Sequence, residues 1–253
     1  MKYYEKMVEM GCFTRENLTT FTGNYKTSDT ILYNYLEKGY IRRIRRNLYA
    51  AVNLVDYELT VDKFQIASAI NSDSYVSHRT AFEFHGCANQ VSYQVDVSSK
   101  KAFESFLFEG YTYSRINESI SVGIIDYPNH LRVTGIERTI LDSIDQFEKT
   151  MGLEELLRCI ALVPAVDERI LLSYLQLYDK QIMYQKTGFI LYAFQNNLRL
   201  SDDFFLECKE HVGRSTRYLT TSREGCYNVE WRIVAPKDLL NIIESGVDSI
   251  DGL

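Results

Sequence analysis

The 253-residue sequence predicts a mixed α/β (α+β) fold, with an N-terminal winged helix-turn-helix over residues 1–56 and a larger mixed α/β domain over residues 57–253. Three observations predict it. The first forty residues carry three short helical patterns broken by glycine. Four arginines (Arg42, Arg43, Arg45 and Arg46) then crowd into the segment Ile41–Tyr49 with no acid among them. Beyond residue 60, helical and strand-like periodicities alternate, as expected of a layered α/β body. The length points the same way, since it exceeds one average domain.

The first helix is expected from about Lys2 to Met10, where Tyr4, Met7 and Val8 recur at i, i+3 and i+4 and Gly11 stops the pattern. The second starts at Thr14, an N-cap type. Phe13 before it and Leu18 at the fourth helical position have the spacing of a hydrophobic staple. Gly23-Asn24 breaks the chain. The third helix is expected to begin near Ser28 as N-cap, with Asp29 favourably placed against the positive helix N-terminus, and to end at Lys38-Gly39. Ile31, Leu32, Tyr35 and Leu36 form its apolar face. Lys26, Thr30, Tyr33 and Glu37 fall opposite, with Asn34 at the edge. Tyr40–Ile44 and Leu48–Ala51 read as two strands joined at Asn47, a residue that tolerates the left-handed conformation.

Four neighbouring cations repel one another, so an isolated protein gains nothing by gathering them. A polyanion does gain, because each phosphate neutralised releases counterions. The hairpin therefore reads as a wing lying along a DNA backbone, and the third helix as the element that enters the major groove. The expected contacts are Lys26, Thr27, Ser28, Thr30, Tyr33 and Asn34 on the helix, with Arg42, Arg43, Arg45, Arg46 and Asn47 on the wing. The alternative is a solvated hairpin whose arginines serve solubility. Charge division favours the first reading: residues 1–52 hold nine Lys/Arg and five Asp/Glu, a net of +4 in a chain of net −6, which leaves −10 for the rest.

The start, Met1-Lys-Tyr-Tyr-Glu5, lacks an apolar signal core, and the longest apolar run, Phe189–Phe194, is far short of a membrane span. A cytoplasmic protein with no membrane partner is expected. Cys12, Cys87, Cys159, Cys208 and Cys226 are odd in number and widely spaced, which argues for reduced, mostly buried thiols and against a disulfide framework. No metal or other cofactor is expected. With three prolines in all, Asn53–Thr60 is the best candidate junction.

In the body, helices are expected at Val61–Ile70, His78–His85, Glu137–Phe147, Gly152–Leu162, Asp167–Tyr178, Gln181–Asn197, Ser201–Val212 and Lys237–Glu244. Strands are expected at Ser74–Val76, Val91–Ser98, Tyr111–Ile116 and Ile120–Tyr127, with a closing hairpin of Arg217–Thr221 and Asn228–Val234.

Three blocks carry a resemblance: Leu36-Glu-Lys-Gly-Tyr-Ile-Arg-Arg-Ile-Arg-Arg-Asn-Leu-Tyr49; Gln65-Ile-Ala-Ser68 with Ser74-Tyr-Val-Ser-His-Arg-Thr-Ala-Phe-Glu-Phe-His-Gly86; and Val133-Thr-Gly-Ile-Glu-Arg-Thr-Ile-Leu-Asp142. In this order, over about residues 13–145, they resemble the AbiEi antitoxin family, in which a glycine commonly stands where this chain has Asn47. The last hundred residues show no such resemblance. The resemblance implies the antitoxin of a type IV toxin–antitoxin pair acting in abortive infection, that is, phage resistance. It further implies a transcriptional repressor that binds inverted repeats in its own promoter through the winged helix. The C-terminal domain would counter a toxin similar to nucleotidyltransferases without a stable complex.

No enzyme is expected. Phosphate loops, nucleophile elbows and dinucleotide fingerprints are absent from the sequence. His78 and His85 lie seven apart without a third ligand; they read better as residues at the start and end of a helix than as metal ligands. Glu137, Arg138 and Asp142 read as an ion-paired helix start. A second basic set, Arg214, Arg217, Arg223 and Arg232, surrounds the closing hairpin as possible secondary nucleic-acid contacts or as scattered surface charge. Two other readings stand beside the antitoxin: a stand-alone winged-helix regulator with a ligand- or partner-binding body, and a nucleic-acid-processing enzyme targeted by its winged helix.

Overall fold

A computed structural model describes residues 3–245, so Lys2 of the first expected helix lies outside the described residues. The N-terminal segment runs α1 (Tyr4–Met10), β1 (Cys12–Phe13), α2 (Arg15–Thr22), α3 (Tyr25–Glu37), β2 (Ile41–Arg45) and β3 (Leu48–Ala51). The middle runs α4 (Lys63–Ala69), β4 (Tyr75–Val76), α5 (His78–Phe84), β5 (Gln94–Ser98), β6 (Phe106–Phe108), β7 (Tyr111–Ile116), β8 (Ile124–Tyr127) and β9 (Leu131–Thr134). The rest runs α6 (Ile136–Thr150), α7 (Gly152–Ala161), α8 (Glu168–Tyr178), α9 (Gln181–Tyr192), α10 (Gln195–Leu198), α11 (Asp202–Glu210), β10 (Arg217–Tyr218), β11 (Cys226–Asn228), β12 (Ile233–Ala235) and α12 (Leu240–Ser245). The fold is mixed α/β, with a winged-helix N-terminus and a larger α/β remainder.

The chain divides into two compact units. The first comprises the residues up to Val76, Tyr93–Asn117 and Ile125–Val133; the second comprises Ser77–Ser92, Glu118–Ile124 and the residues from Thr134 onward. The predicted 56/57 boundary therefore falls inside the first unit. Local cues marked Asn53–Thr60 as a junction, but its backbone is tied back: Thr60 N–H donates to Ala51 O at 3.0 Å, and Val52 bridges to Leu59.

In the first unit, β1, β3 and β2 form a three-stranded sheet in that order. It closes over α1, α2 and α3 on a core of Met7, Phe13, Leu18, Leu32, Ile41 and Ala51. Phe13 and Leu18 are both buried there, as the staple spacing predicted. Thr14 caps α2 by accepting from Asn17 N–H, and the Asn17 side chain accepts from Thr14 N–H, completing a capping box worth about 1 kcal/mol. The cap of α3 differs from expectation. Gly23, at φ 70°, ends α2, and the next helix starts at once with Asn24, whose side chain accepts from Lys26 and Thr27 N–H. Ser28 is a buried helical residue whose hydroxyl lies 3.0 Å from Thr19 Oγ1 and 2.7 Å from Thr22 Oγ1, joining α2 to α3.

A six-stranded sheet of order β6-β7-β5-β4-β9-β8 lies in this unit, with parallel pairs β5/β7 and β4/β9 and antiparallel pairs β4/β5 and β6/β7. Of the expected strands, Val91–Ser98 shortens to β5 and Ile120–Tyr127 to β8, while β6 and β9 were not anticipated. The β8–β9 turn puts Asn129 and His130 at φ 61° and 60°, the two left-handed positions of a type I′ turn.

The second unit packs helices around Ile140, Ile144, Leu157, Leu175, Ile190 and Phe204, among others. The expected Gln181–Asn197 helix is divided: α9 ends at Tyr192, and Phe194, at φ −114° and ψ 14°, starts the separate turn α10. The expected closing hairpin is also corrected. β10 pairs with β12 in parallel and β11 pairs with β12 antiparallel, giving the order β10-β12-β11. Trp231 anchors this sheet: its ring fills the space over Gly188 of α9, where an added Cβ would lie 2.0 Å from ring carbon.

Candidate nucleic-acid interface

The outward face of α3 presents Lys26, Thr27, Thr30, Tyr33 and Asn34, all exposed, with Tyr33 66% exposed. Its opposite face buries Leu32 and packs Ile31, Tyr35 and Leu36 on the core, which is why the polar stripe must face outward. Thr30 returns its hydroxyl to Lys26 O at 2.9 Å. Asp29, a carboxylate on the same helix, is paired at 2.5 Å with Arg15, whose guanidinium also lies over the Tyr25 ring. That pairing offsets the negative charge a phosphate would otherwise meet. Ser28, expected among the contacts, is turned inward by its hydrogen bonds to α2 and is not on this face.

The four wing arginines are not equivalent. Arg42 Nη1 pairs with Glu109 at 2.7 Å, and its Nη2 donates to Tyr57 O at 2.7 Å. Arg45 lies over the rings of Phe103 and Phe106, 5.5 and 5.2 Å from their centroids. An unbroken strand would point residues three apart to opposite sides. The register shift between Arg43 and Arg45 lets both Arg42 and Arg45 reach the segment 103–109. Arg43 and Arg46 remain exposed. Neither forms an ion pair among the described residues; Arg43 makes one long contact of 3.4 Å to Arg45 O.

Asn47 sits at φ 58°, the left-handed position its residue type suggested. Its side chain is used inside the protein, accepting from Arg15 N–H at 3.1 Å and donating to Glu16 Oε2 at 2.7 Å. That amide bond holds the Glu16 carboxyl below the usual carboxylate range. Asn47 thus fixes the wing tip against the start of α2. Glu109, Phe103, Phe106 and Tyr57 were not legible as wing partners, because strand register and long-range pairing bring them there and no local pattern marks them.

Arg214, Arg217, Arg223 and Arg232 lie in the second unit. All four are exposed, and none forms an ion pair among the described residues. His78 and His85 are not arranged as a metal pair. His78 is buried at the first position of α5 with φ 51°, its Nδ1 2.8 Å from Ser77 Oγ. His85 closes the helix with Nε2 2.7 Å from Thr134 O. Among the described residues no three His, Cys, Asp or Glu side chains group as metal donors.

The start of the Glu137 helix is ion-paired as expected, and the pair is buried within a hydrogen-bond network. Arg138 pairs with Asp142 at 2.8 Å with both side chains buried, Tyr178 donates its hydroxyl to Asp142, and Arg138 donates to Val122 O. Glu137 accepts from Asp167 N–H at 3.0 Å, at the start of α8. Burial pushes His78 below its ordinary value, opposed by the Asp142 carboxylate. It pushes the Cys159 and Cys208 thiols up to about 12, so neither supplies a thiolate near neutrality. Among the described residues no helix is long and apolar enough to cross a membrane.

No family model and no curated protein matches the chain. Among solved structures it is similar to the crystal structure of the RV2827C protein from Mycobacterium tuberculosis, with a TM-score of 0.60 at 13% identity over 94% of this chain and 90% of that one. At that identity the likeness establishes a shared fold.

Proposed function

We propose that this protein is a DNA-binding transcriptional autorepressor that also serves as the antitoxin of a type IV abortive-infection pair. The observation that carries the DNA-binding half is the exposed polar face of α3 together with Arg43 and Arg46, two wing cations without an acidic partner among the described residues. α3 enters the major groove, where Thr30, Tyr33 and Asn34 reach base edges and Lys26 and Thr27 reach phosphate. The wing contributes affinity through Arg43 and Arg46, while Arg42, Arg45, Ser28 and Asn47 hold the reading head in shape. The duplex is an inverted repeat in the protein's own promoter. The antitoxin half rests on the three ordered blocks that resemble the AbiEi family; the toxin it counters is nucleotidyltransferase-like and is opposed without a stable complex.

The test is a fluorescence-anisotropy titration of full-length protein against a duplex from its own upstream region and a scrambled duplex of equal length. Tighter binding of the upstream duplex, falling steeply with salt, supports the reading. Equal and salt-insensitive binding of both overturns it. For the antitoxin half, growth is measured with the neighbouring toxin-like gene induced. Growth restored only when this protein is co-expressed supports it; unrelieved arrest refutes it.

A further inference from the structure

Among the described residues, the small sheet of the second unit has one face packed and one face open. Ile233 and Ala235 of β12 are buried, as are Trp231 and Leu219 beside them, with Trp231 edge-on to Phe205. Val234, between Ile233 and Ala235, points the other way. Tyr218 of β10 and Tyr227 of β11 are both in register with Val234, so the three form one row across the open face. The two tyrosines are 41% and 50% exposed. They flank the valine at about 10 Å from each other, two strand spacings.

One cation lies against this row. Arg223 lies 5.2 Å over the Tyr218 ring. Arg217, in register with the buried Ile233, alternates to the other side of the sheet from the tyrosine row, and Arg232, just before β12, turns its Nη1 towards Gly213 O at 3.5 Å. The buried Gln185 amide donates to the carbonyls of Ser215, Trp231 and Arg232 and ties the two loops together. Nearby acids are engaged elsewhere: Glu230 with Lys209, and Glu148 with Thr221 N–H and hydroxyl. Glu224 is the exposed acid of the turn.

We infer that this face is a second binding site, distinct from the winged helix, and that its ligand is a single-stranded nucleic acid. Exposed aromatic rings on a sheet offer a stacking surface that suits unpaired bases and is closed to bases stacked within a duplex. Arg223, without an acidic partner among the described residues, supplies a phosphate contact that does not depend on sequence. Duplex DNA would use the cation alone, because its bases are already stacked within the helix. The combination favours a single strand.

The experiment uses full-length protein, a fluorescein-labelled 12-nucleotide oligouridylate, an oligothymidylate of equal length and a 12-base-pair duplex. Wild type binds the single strands, and Tyr218→Ala or Tyr227→Ala weakens that binding roughly 5- to 150-fold, the ~1–3 kcal/mol of one lost base stack. Tyr218→Phe and Tyr227→Phe retain it, because the ring and not the hydroxyl stacks. Arg223→Glu weakens it and Arg43→Ala/Arg46→Ala leaves it unchanged, while the latter pair weakens duplex binding at the wing and makes it less sensitive to salt. Circular dichroism checks that each alanine variant is folded; if one is not, Arg223→Glu decides. No single-strand binding, or binding unaffected by Tyr→Ala and Arg223→Glu, overturns the inference. Loss in Arg43→Ala/Arg46→Ala assigns the single strand to the wing and overturns it also. Failure of duplex binding alone refutes the repressor reading and leaves this site standing. Preference between the two oligonucleotides separates RNA from DNA as the source.

Discussion

Replacing Arg43 and Arg46 together should change DNA binding in a way that replacing Arg42 and Arg45 together does not. Each phosphate contact adds about 0.9 to the slope of log K against log salt on duplex DNA. Arg43→Ala/Arg46→Ala removes two exposed cations and should shallow the slope by about 1.8, so a fourfold rise in salt weakens wild type about 12-fold more than the mutant. Arg42 is committed to Glu109 and the Tyr57 carbonyl, and Arg45 to Phe103 and Phe106. Their loss should leave the slope nearly unchanged and lower stability. The Arg42–Glu109 pair is partly exposed and worth at most ~1 kcal/mol; the stacked Arg45 adds about 0.5–1 kcal/mol. Anisotropy titrations at several salt concentrations read the slope, and urea unfolding reads the stability. Equal slope changes for the two pairs would refute the division of labour in the wing.

Other outcomes follow from the same contacts. Alanine at Thr30, Tyr33 or Asn34 should relax discrimination at particular base pairs by about 1–3 kcal/mol, read by titrating single-base operator variants. Asp142→Ala strands the buried Arg138 charge and should cost about 3–5 kcal/mol in urea unfolding. Gly188→Ala drives a methyl into the Trp231 ring and should cost about 1–3 kcal/mol. Because His78 is buried with its value lowered, its neutral form favours the fold above the ordinary histidine pKa of about 6.5, and stability should fall as pH drops below that value. His78→Asn, whose residue type tolerates φ 51°, should flatten that pH dependence. Full-length Arg43→Ala/Arg46→Ala should lose promoter repression and keep rescue from the toxin; loss of both in a folded protein would tie antitoxicity to DNA binding.

The winged helix was largely legible because its signals are local. The Phe13/Leu18 staple, the Gly23-Asn24 break and the Asn47 turn each act over a few residues, and all appear in the structure. Ser28 misled because two capping types, Asn24 and Ser28, lie four apart, and only packing against Thr19 and Thr22 decides between them. The fates of Arg42 and Arg45 were illegible for a different reason. Their side-chain partners Glu109, Phe103 and Phe106 lie about sixty residues on, beyond a bulge and a sheet register that no periodicity encodes. The same holds for β10 and β12, whose parallel pairing cannot be told from a hairpin when both strands are two or three residues long. A division at residue 57 would cut through the first unit, so a fragment of 57–253 is a poorer test of separable functions than point mutants of the whole chain.

The most direct measurement of the central claim is amide hydrogen exchange of the full-length protein with and without its upstream duplex. DNA binding through the winged helix predicts new protection concentrated in α3, Tyr25–Glu37, and in the hairpin Ile41–Ala51, with α6–α9 unchanged. Protection that spares α3 and the hairpin while the duplex is bound would contradict it.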